Sequence, residues 1–377
     1  MNNAMTGWLM FLALWCYGQV PSINTQIQQA EKMMLSDPQS SFDLAEKILN
    51  SGQSGRKDQL RLLFVLTNTS GMLQHPLEVV KYGNEALAIA GVDDGVIKIK
   101  ILGILGNTYQ SIQLNEKTRI YLDEAESLLS SSKIPDSLSY IRGNIYYLKA
   151  MNYSYSLDRD IALSYFDKSI SQYLSSRHPL AEINLKLAYL NKAFALIDRH
   201  NLKQARESFQ LASVHLKESA RPYPPQFVAL QEAFITLGMA KIYSIEKNTA
   251  LSNDLLLKLL DERKNAPVRA DIENEVYEIL AQNYLQTGEI KKHEYYQDLY
   301  LKSEMTTHQN ASVWVNKLMA QEQFSDETQR HKTLTKYIIF IVVSVLFFVI
   351  TAIYLRLKQV KIKQKRDSLE KQVVDYI

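Results

Sequence analysis

Small and aromatic residues recur along this chain at helical spacings, in paired stretches separated by short polar turns. Between Lys192 and Ala212 the sequence places Ala193 and Leu196 before a polar turn at Asp198–Asn201, and Leu202, Ala205, Phe209 and Ala212 after it. Within each stretch the spacing of three or four puts these residues on one helix face, which gives a helical hairpin with small residues where its two helices touch. The pattern returns in Leu105, Gly106 and Tyr109 followed by Leu122 and Ala125, and in Ala150 and Tyr153 followed by Ala162 and Phe166. It returns again in Leu237 and Gly238 followed by Ala250, and in Leu280, Ala281 and Tyr284 followed by Gly288, Ile290 and Tyr300. One hairpin cannot bury its apolar face alone, so such a chain is constrained to stack hairpins into a continuous core. The composition agrees: 13 Gly and 9 Pro in 377 residues, with little β-branched alternation before residue 337, point to helices. An irregular helical bundle is the alternative, and a sheet-based fold is excluded.

These residues resemble the tetratricopeptide repeat, whose signature runs Leu-Gly, Tyr, Gly, Tyr, Ala, Phe, Ala and Pro at fixed offsets. Aligned on the second-helix Ala, the matching positions are Val79, Thr118, Ala162, Ala205, Ala250 and His293, which are 39, 44, 43, 45 and 43 residues apart. The consensus repeat is about 34 residues, so longer helices or turns are expected here. Phe42–Leu49, with Ala45, reads as the second helix of a further, capping repeat. The resemblance covers about residues 24–303 and implies an all-α fold, a tetratricopeptide-like helical-hairpin solenoid. It also implies a concave face made by the first helices, with Asn107, Gln110, Met151, Phe194 and Gln282 as its candidate partner-binding positions. The bland reading of those five is that they are solvated or packed helix positions.

Tyr337–Leu355 is nineteen residues without a charge, about the length that spans a hydrocarbon core as a helix. The sequence therefore predicts a single transmembrane helix at 337–355, then a short helical tail. Arg356, Lys358, Lys361, Lys363, Lys365 and Arg366 follow it, so the basic excess sets the C-terminus in the cytoplasm. Trp8–Tyr17 is an apolar run too short to span, which predicts a signal peptide over residues 1–18. An uncleaved N-terminal anchor and a lipoprotein acceptor at Cys16 stay open beside it. Cys16 is the one cysteine, so intramolecular disulfides and thiolate metal sites are excluded. The expected order is signal peptide 1–18, solenoid 19–303, helical connector 304–336, transmembrane helix 337–355 and basic tail 356–377. In the tail, Leu355, Ile362, Leu369 and Tyr376 lie seven apart, which reads either as a short coiled coil supporting a homodimer or as an ordinary basic juxtamembrane helix.

No chemical motif emerges. The seven histidines are scattered without metal-like spacing. Gly103-Ile104-Leu105-Gly106 lies in a helical repeat, where it serves close packing, and Asp93-Asp94-Gly95 reads as a turn. No catalytic residue, cofactor or metal is expected, and nothing suggests nucleic-acid binding by this portion, whose charge outside the basic tail is close to neutral. Taken together, the order resembles the sensor half of Bacteroidetes-type membrane-anchored regulators. In these an exported tetratricopeptide array and one transmembrane helix precede an AraC-like or LuxR-like domain or a histidine kinase, an effector absent here. The resemblance implies an inner-membrane, single-pass sensor or adaptor, its repeats outside the cytoplasm, that binds a protein or peptide and relays to a cytoplasmic output. The alternative is a membrane-tethered scaffold for envelope protein assembly without signalling.

Overall fold

The computed structural model describes residues 22–131, 135, 138–156, 158–217, 225–262 and 270–374. Within these, the side chains of residues 215–217, 225–226, 262, 270–271, 307–308, 310–311, 322–333, 349–350, 352–355, 357 and 359–374 are outside the description. The expected signal peptide, with Cys16, lies outside the described residues.

The described residues form fourteen α-helices and one 3₁₀ turn, Val92–Asp94. The helices are α1 (Ile23–Met33), α2 (Pro38–Asn50), α3 (Arg56–Met72), α4 (Pro76–Ile89), α5 (Gly95–Ser111), α6 (Asn115–Ser131) and α7 (Ser139–Tyr155). They continue as α8 (Arg159–Ser175), α9 (Pro179–Asp198), α10 (Leu202–Lys217), α11 (Pro225–Ile245), α12 (Thr249–Glu262), α13 (Ala270–Gln286) and α14 (Ile290–Val374). Residues 1–315 form one compact unit and residues 316–377 a second.

In the first unit consecutive helices pair as antiparallel hairpins. Each even-numbered helix from α2 to α12 packs against the helix before it and the helix after it. Each odd-numbered helix also touches the next odd-numbered one, whereas among the described residues no even-numbered helix touches another. The odd helices are therefore crowded on the inner side of the array and the even helices are spread on the outer side. That is the arrangement of a curved solenoid.

The sequence register explains the crossings. Ser41, Val79, Thr118, Ala162, Ala205 and Ser252 sit one turn into their outer helices and are all fully buried. Opposite them on the inner helices lie Ala30, Thr67, Gly106, Ala150, Ala193 and Ala240, eleven or twelve residues earlier. Where the crossing residue is serine, its hydroxyl bonds to the backbone it meets. Ser41 Oγ donates to the Ala30 carbonyl (2.7 Å) and Ser252 Oγ to that of Ala240 (2.8 Å). His293 Nδ1 lies 2.9 Å from the Ala281 carbonyl, so the proton sits on Nδ1. Gly106 is needed for this approach, because a Cβ there would lie 2.8 Å from Leu122. One expected crossing is corrected: Ala250 is exposed and Ser252 takes its place. The cap at Asn248, which accepts from Leu251 N–H (3.4 Å), starts the helix two residues later than the Ala alignment supposes. In the capping hairpin, likewise, Ser41 is at the crossing and Ala45 is buried one turn further on.

Tyrosines fill the space beside the crossings. Tyr109 stacks on Tyr121, Tyr153 on Tyr165 and Tyr284 on Tyr296, with ring centroids 5.2, 5.6 and 5.6 Å apart. Lys117 and Lys292 lie over the Tyr109 and Tyr284 rings. Five of the hairpins turn through one residue in the left-handed region: Gln74, Gln113, His200, Lys247 or Gly288, with φ between 56° and 76°. The next N–H returns each time to the carbonyl five residues back, at 2.9 Å, closing the inner helix in a Schellman cap.

The expected transmembrane helix is not borne out. Among the described residues no helix is long and apolar enough to cross a membrane. The apolar run lies inside α14, and its continuously described part, 337–348, is exposed except at Ser344. The single-pass inner-membrane location, the membrane as a partner, the transmembrane sensor and the membrane-tethered scaffold are withdrawn with it. The side chains expected to carry a homodimer through the tail, Leu355, Ile362, Leu369 and Tyr376, lie outside the described residues.

Candidate functional site

The inner helices present a repeating pair of positions. One is the residue just after the small crossing residue: Glu31 on α1, Asn107 on α5, Met151 on α7, Phe194 on α9, Lys241 on α11 and Gln282 on α13. The other is the residue six before the crossing on the next inner helix. In three places the structure shows the two meeting. Glu31 on α1 takes a bidentate pair from Arg61 on α3, at 2.9 and 2.8 Å. Phe194 on α9 meets Phe234 on α11 edge-on, with ring centroids 6.5 Å apart. Lys241 on α11 lies 3.6 Å from Glu275 on α13. These rungs tie α1 to α3, α9 to α11 and α11 to α13, a partial ladder along the inner helices.

Of the five positions expected from sequence, four follow a small crossing residue, and Phe194 is the one shown in a rung. Asn107 and Gln282 are exposed, and Gln282 donates to Glu278 (3.1 Å). Met151 is half-buried against Ala150, Phe166 and Ala195, and Phe194 against Phe209 and Phe234. These two belong in part to the core. Gln110 lies one turn beyond Asn107, half-buried. The structure places the five on four separate inner helices and does not gather them into one cluster.

The sequence reading missed the charged rungs and an amide network between α7 and α9. Asn144 Oδ1 accepts from the Tyr173 hydroxyl (2.9 Å) and from Asn184 Nδ2 (2.8 Å). Asn191 Nδ2 donates to the Tyr147 hydroxyl (3.0 Å). At the first rung Arg61 also meets Asn24 and Asp58, and its bond to Glu31 is the main cause that holds its guanidinium above the ordinary range. At the last rung the balance is reversed. Burial pushes the Glu275 carboxyl above the usual carboxylate range, Lys241 opposes that, and Glu278 and Asp198 add to it. Three carboxylates thus face one ammonium at this end of the ladder. The signal for these residues was present as charges at fixed offsets from the crossing residues, but it needs the register of two consecutive repeats at once. Among the described residues no group of three or more His, Cys, Asp or Glu is placed to hold a metal ion.

No protein-family description matches this sequence, and no curated protein does. Solved structures do match in fold. The apo form of RapI aligns with a TM-score of 0.53 at 11% identity, over 76% of this chain and 98% of that one. A Rap protein complexed with Competence and Sporulation Factor aligns with a TM-score of 0.57 at 11% identity, over 76% of this chain and 78% of that one. At this identity the likeness is one of fold, and it replaces the expected resemblance to membrane-anchored regulators: the chain is an all-α solenoid of paired helices, similar in architecture to Rap proteins.

Proposed function

We propose that the inner face of the array binds an extended protein or peptide segment and that the rung at Lys241 and Glu275 selects positive charge in that segment. The observation that carries this reading is the charge at the end of the ladder, where Asp198, Glu275 and Glu278 outweigh Lys241 on helices facing the inner side. Burial is the main cause that raises the Glu275 carboxyl, and a cationic side chain there would oppose it as Lys241 does, while offsetting the repulsion from Glu278 and Asp198. The similarity in fold to a Rap protein solved with Competence and Sporulation Factor supports a binding role for such an array. On this reading the chain works by binding, without catalysis.

The test is fluorescence anisotropy with labelled, unstructured peptides of equal length that carry Lys/Arg, Asp/Glu or neutral polar side chains. The cationic set is expected to bind at least about ten-fold tighter than the acidic set at low salt, and the preference should shrink as salt rises. Glu275→Lys with Glu278→Lys is expected to abolish or reverse the preference. Equal binding of the three sets, or a preference untouched by that double substitution, would overturn the proposal.

A further inference from the structure

The joint between the fourth and fifth hairpins is built around a histidine that must be neutral to do its work. His178 caps α9, with its Nδ1 accepting the N–H of Leu180 at 3.2 Å. A ring nitrogen that accepts carries no proton, so the ring is the neutral tautomer with its proton on Nε2. The same ring lies flat on Tyr140 of α7, with centroids 3.8 Å apart and planes 13° from parallel. One side chain thereby both starts the inner helix of the fifth hairpin and holds it to the inner helix of the fourth. The loop is fixed further by the His178 N–H, which donates to Ser176 Oγ at 3.2 Å.

The charge that acts on the ring resists its protonation. Lys100, from α5, is the charged side chain that acts on it, and α7 contributes the uncharged Tyr140. On α9 itself Glu182 lies one turn further on, 3.9 Å from Lys186, and Arg177 is the preceding residue. A cationic ring would also sit at the positive end of the α9 dipole. Burial first, and Lys100 second, hold the His178 pKa below its ordinary 6.5.

We propose that His178 is an acid-sensitive latch: protonation turns the cap acceptor into a donor, frees the first turn of α9, and loosens the joint between the fourth and fifth hairpins. The sign follows from linkage. With the folded pKa below the unfolded value of 6.5, the unfolded chain takes up the proton first, so stability at this joint is full above pH 6.5. It is lost as the pH falls through 6.5 toward the folded value. Because the joint lies in the middle of the array, its release changes the bend of the inner face. This inference does not depend on what the inner face binds.

Hydrogen–deuterium exchange with mass spectrometry tests the latch on the full chain. Exchange at pH 7.5 and 5.5 is divided by the chemical exchange rate at each pH. Amides at 178–183 are expected to lose about five-fold or more of their protection at pH 5.5, in line with the worth of an N-cap, while α3 and α4 keep theirs. His178→Asn keeps an acceptor at the cap without a titrating ring, and its protection there is expected to be the same at both pH values. Should that variant not fold, His178→Ser, also a capping residue, takes its place. Unchanged protection at 178–183 in the wild type would overturn the proposal, and so would an equal loss in the wild type and the variant.

Discussion

At the scale of single residues, the hairpin turns show how a position can be conformationally demanding without announcing itself. Gly288 stood in the repeat pattern and adopts φ of 76° freely as a glycine. His200 lies in the polar turn read at Asp198–Asn201, whereas Gln74, Gln113 and Lys247 occupy the same left-handed position, with φ of 58–64°, and no residue type gave them away. The demand comes from the Schellman cap, in which the following N–H must reach back to the open end of the inner helix. A side chain at this φ brings its Cβ toward the backbone at a cost of roughly 1–2 kcal/mol, partly offset in a glycine by the greater entropy of the unfolded chain. His200→Gly and Gln113→Gly are therefore expected to raise stability by about 0.5–1 kcal/mol each, read as a higher urea midpoint. A lower midpoint would mean that those side chains contribute more than the backbone they strain. The same logic separates legible from hidden site residues. Asn107, Met151, Phe194 and Gln282 were found because each follows a small crossing residue. Arg61, Phe234 and Glu275 were not, because their partners lie one repeat away, at separations of 30, 40 and 34 residues.

Helices and hairpins were the most readable level. Spacing of apolar residues located the hairpins, but the repeat length varies, and the alignment slipped by two residues where Ser252 does the work expected of Ala250. What the pattern recorded was the need for a small residue at each crossing. Gly238 is an extreme case. A Cβ built on this α11 residue falls against the ring of Phe209 on α10. Gly238→Ala is expected to cost about 1–3 kcal/mol by overpacking, although alanine favours a helix over glycine by about 1 kcal/mol. Adding Phe209→Leu should return part of the loss, because the ring tip is what the methyl group meets. Thermal unfolding of the two single variants and the double variant measures this coupling, and additive losses would show that the contact is not the cause.

For the whole molecule, the apolar run at residues 337–355 taught the opposite lesson from the hairpins. Its composition was unambiguous and its consequence was not: the run lies inside α14, yet among the described residues no helix is long and apolar enough to cross a membrane. The solenoid, in contrast, was legible because many weak signals agreed in phase. Its stability is expected to be a sum of neighbouring terms. Phe166 is fully buried on α8, and Phe166→Ala is expected to cost about 3–5 kcal/mol. Hydrogen exchange should show that cost concentrated in α5–α10, with α1 and α2 little changed. A uniform loss across all hairpins would mean that the array unfolds as one cooperative block.

The crowding of inner helices and the separation of outer ones also make the array elastic. Among the described residues its inner helices form a continuous strip, while its outer helices meet no neighbours of their own kind, so bending can open or close outer wedges without breaking an outer-to-outer interface. Pulled from its two ends, such a body should first lengthen reversibly like a spring, and only at higher force lose its hairpins one at a time.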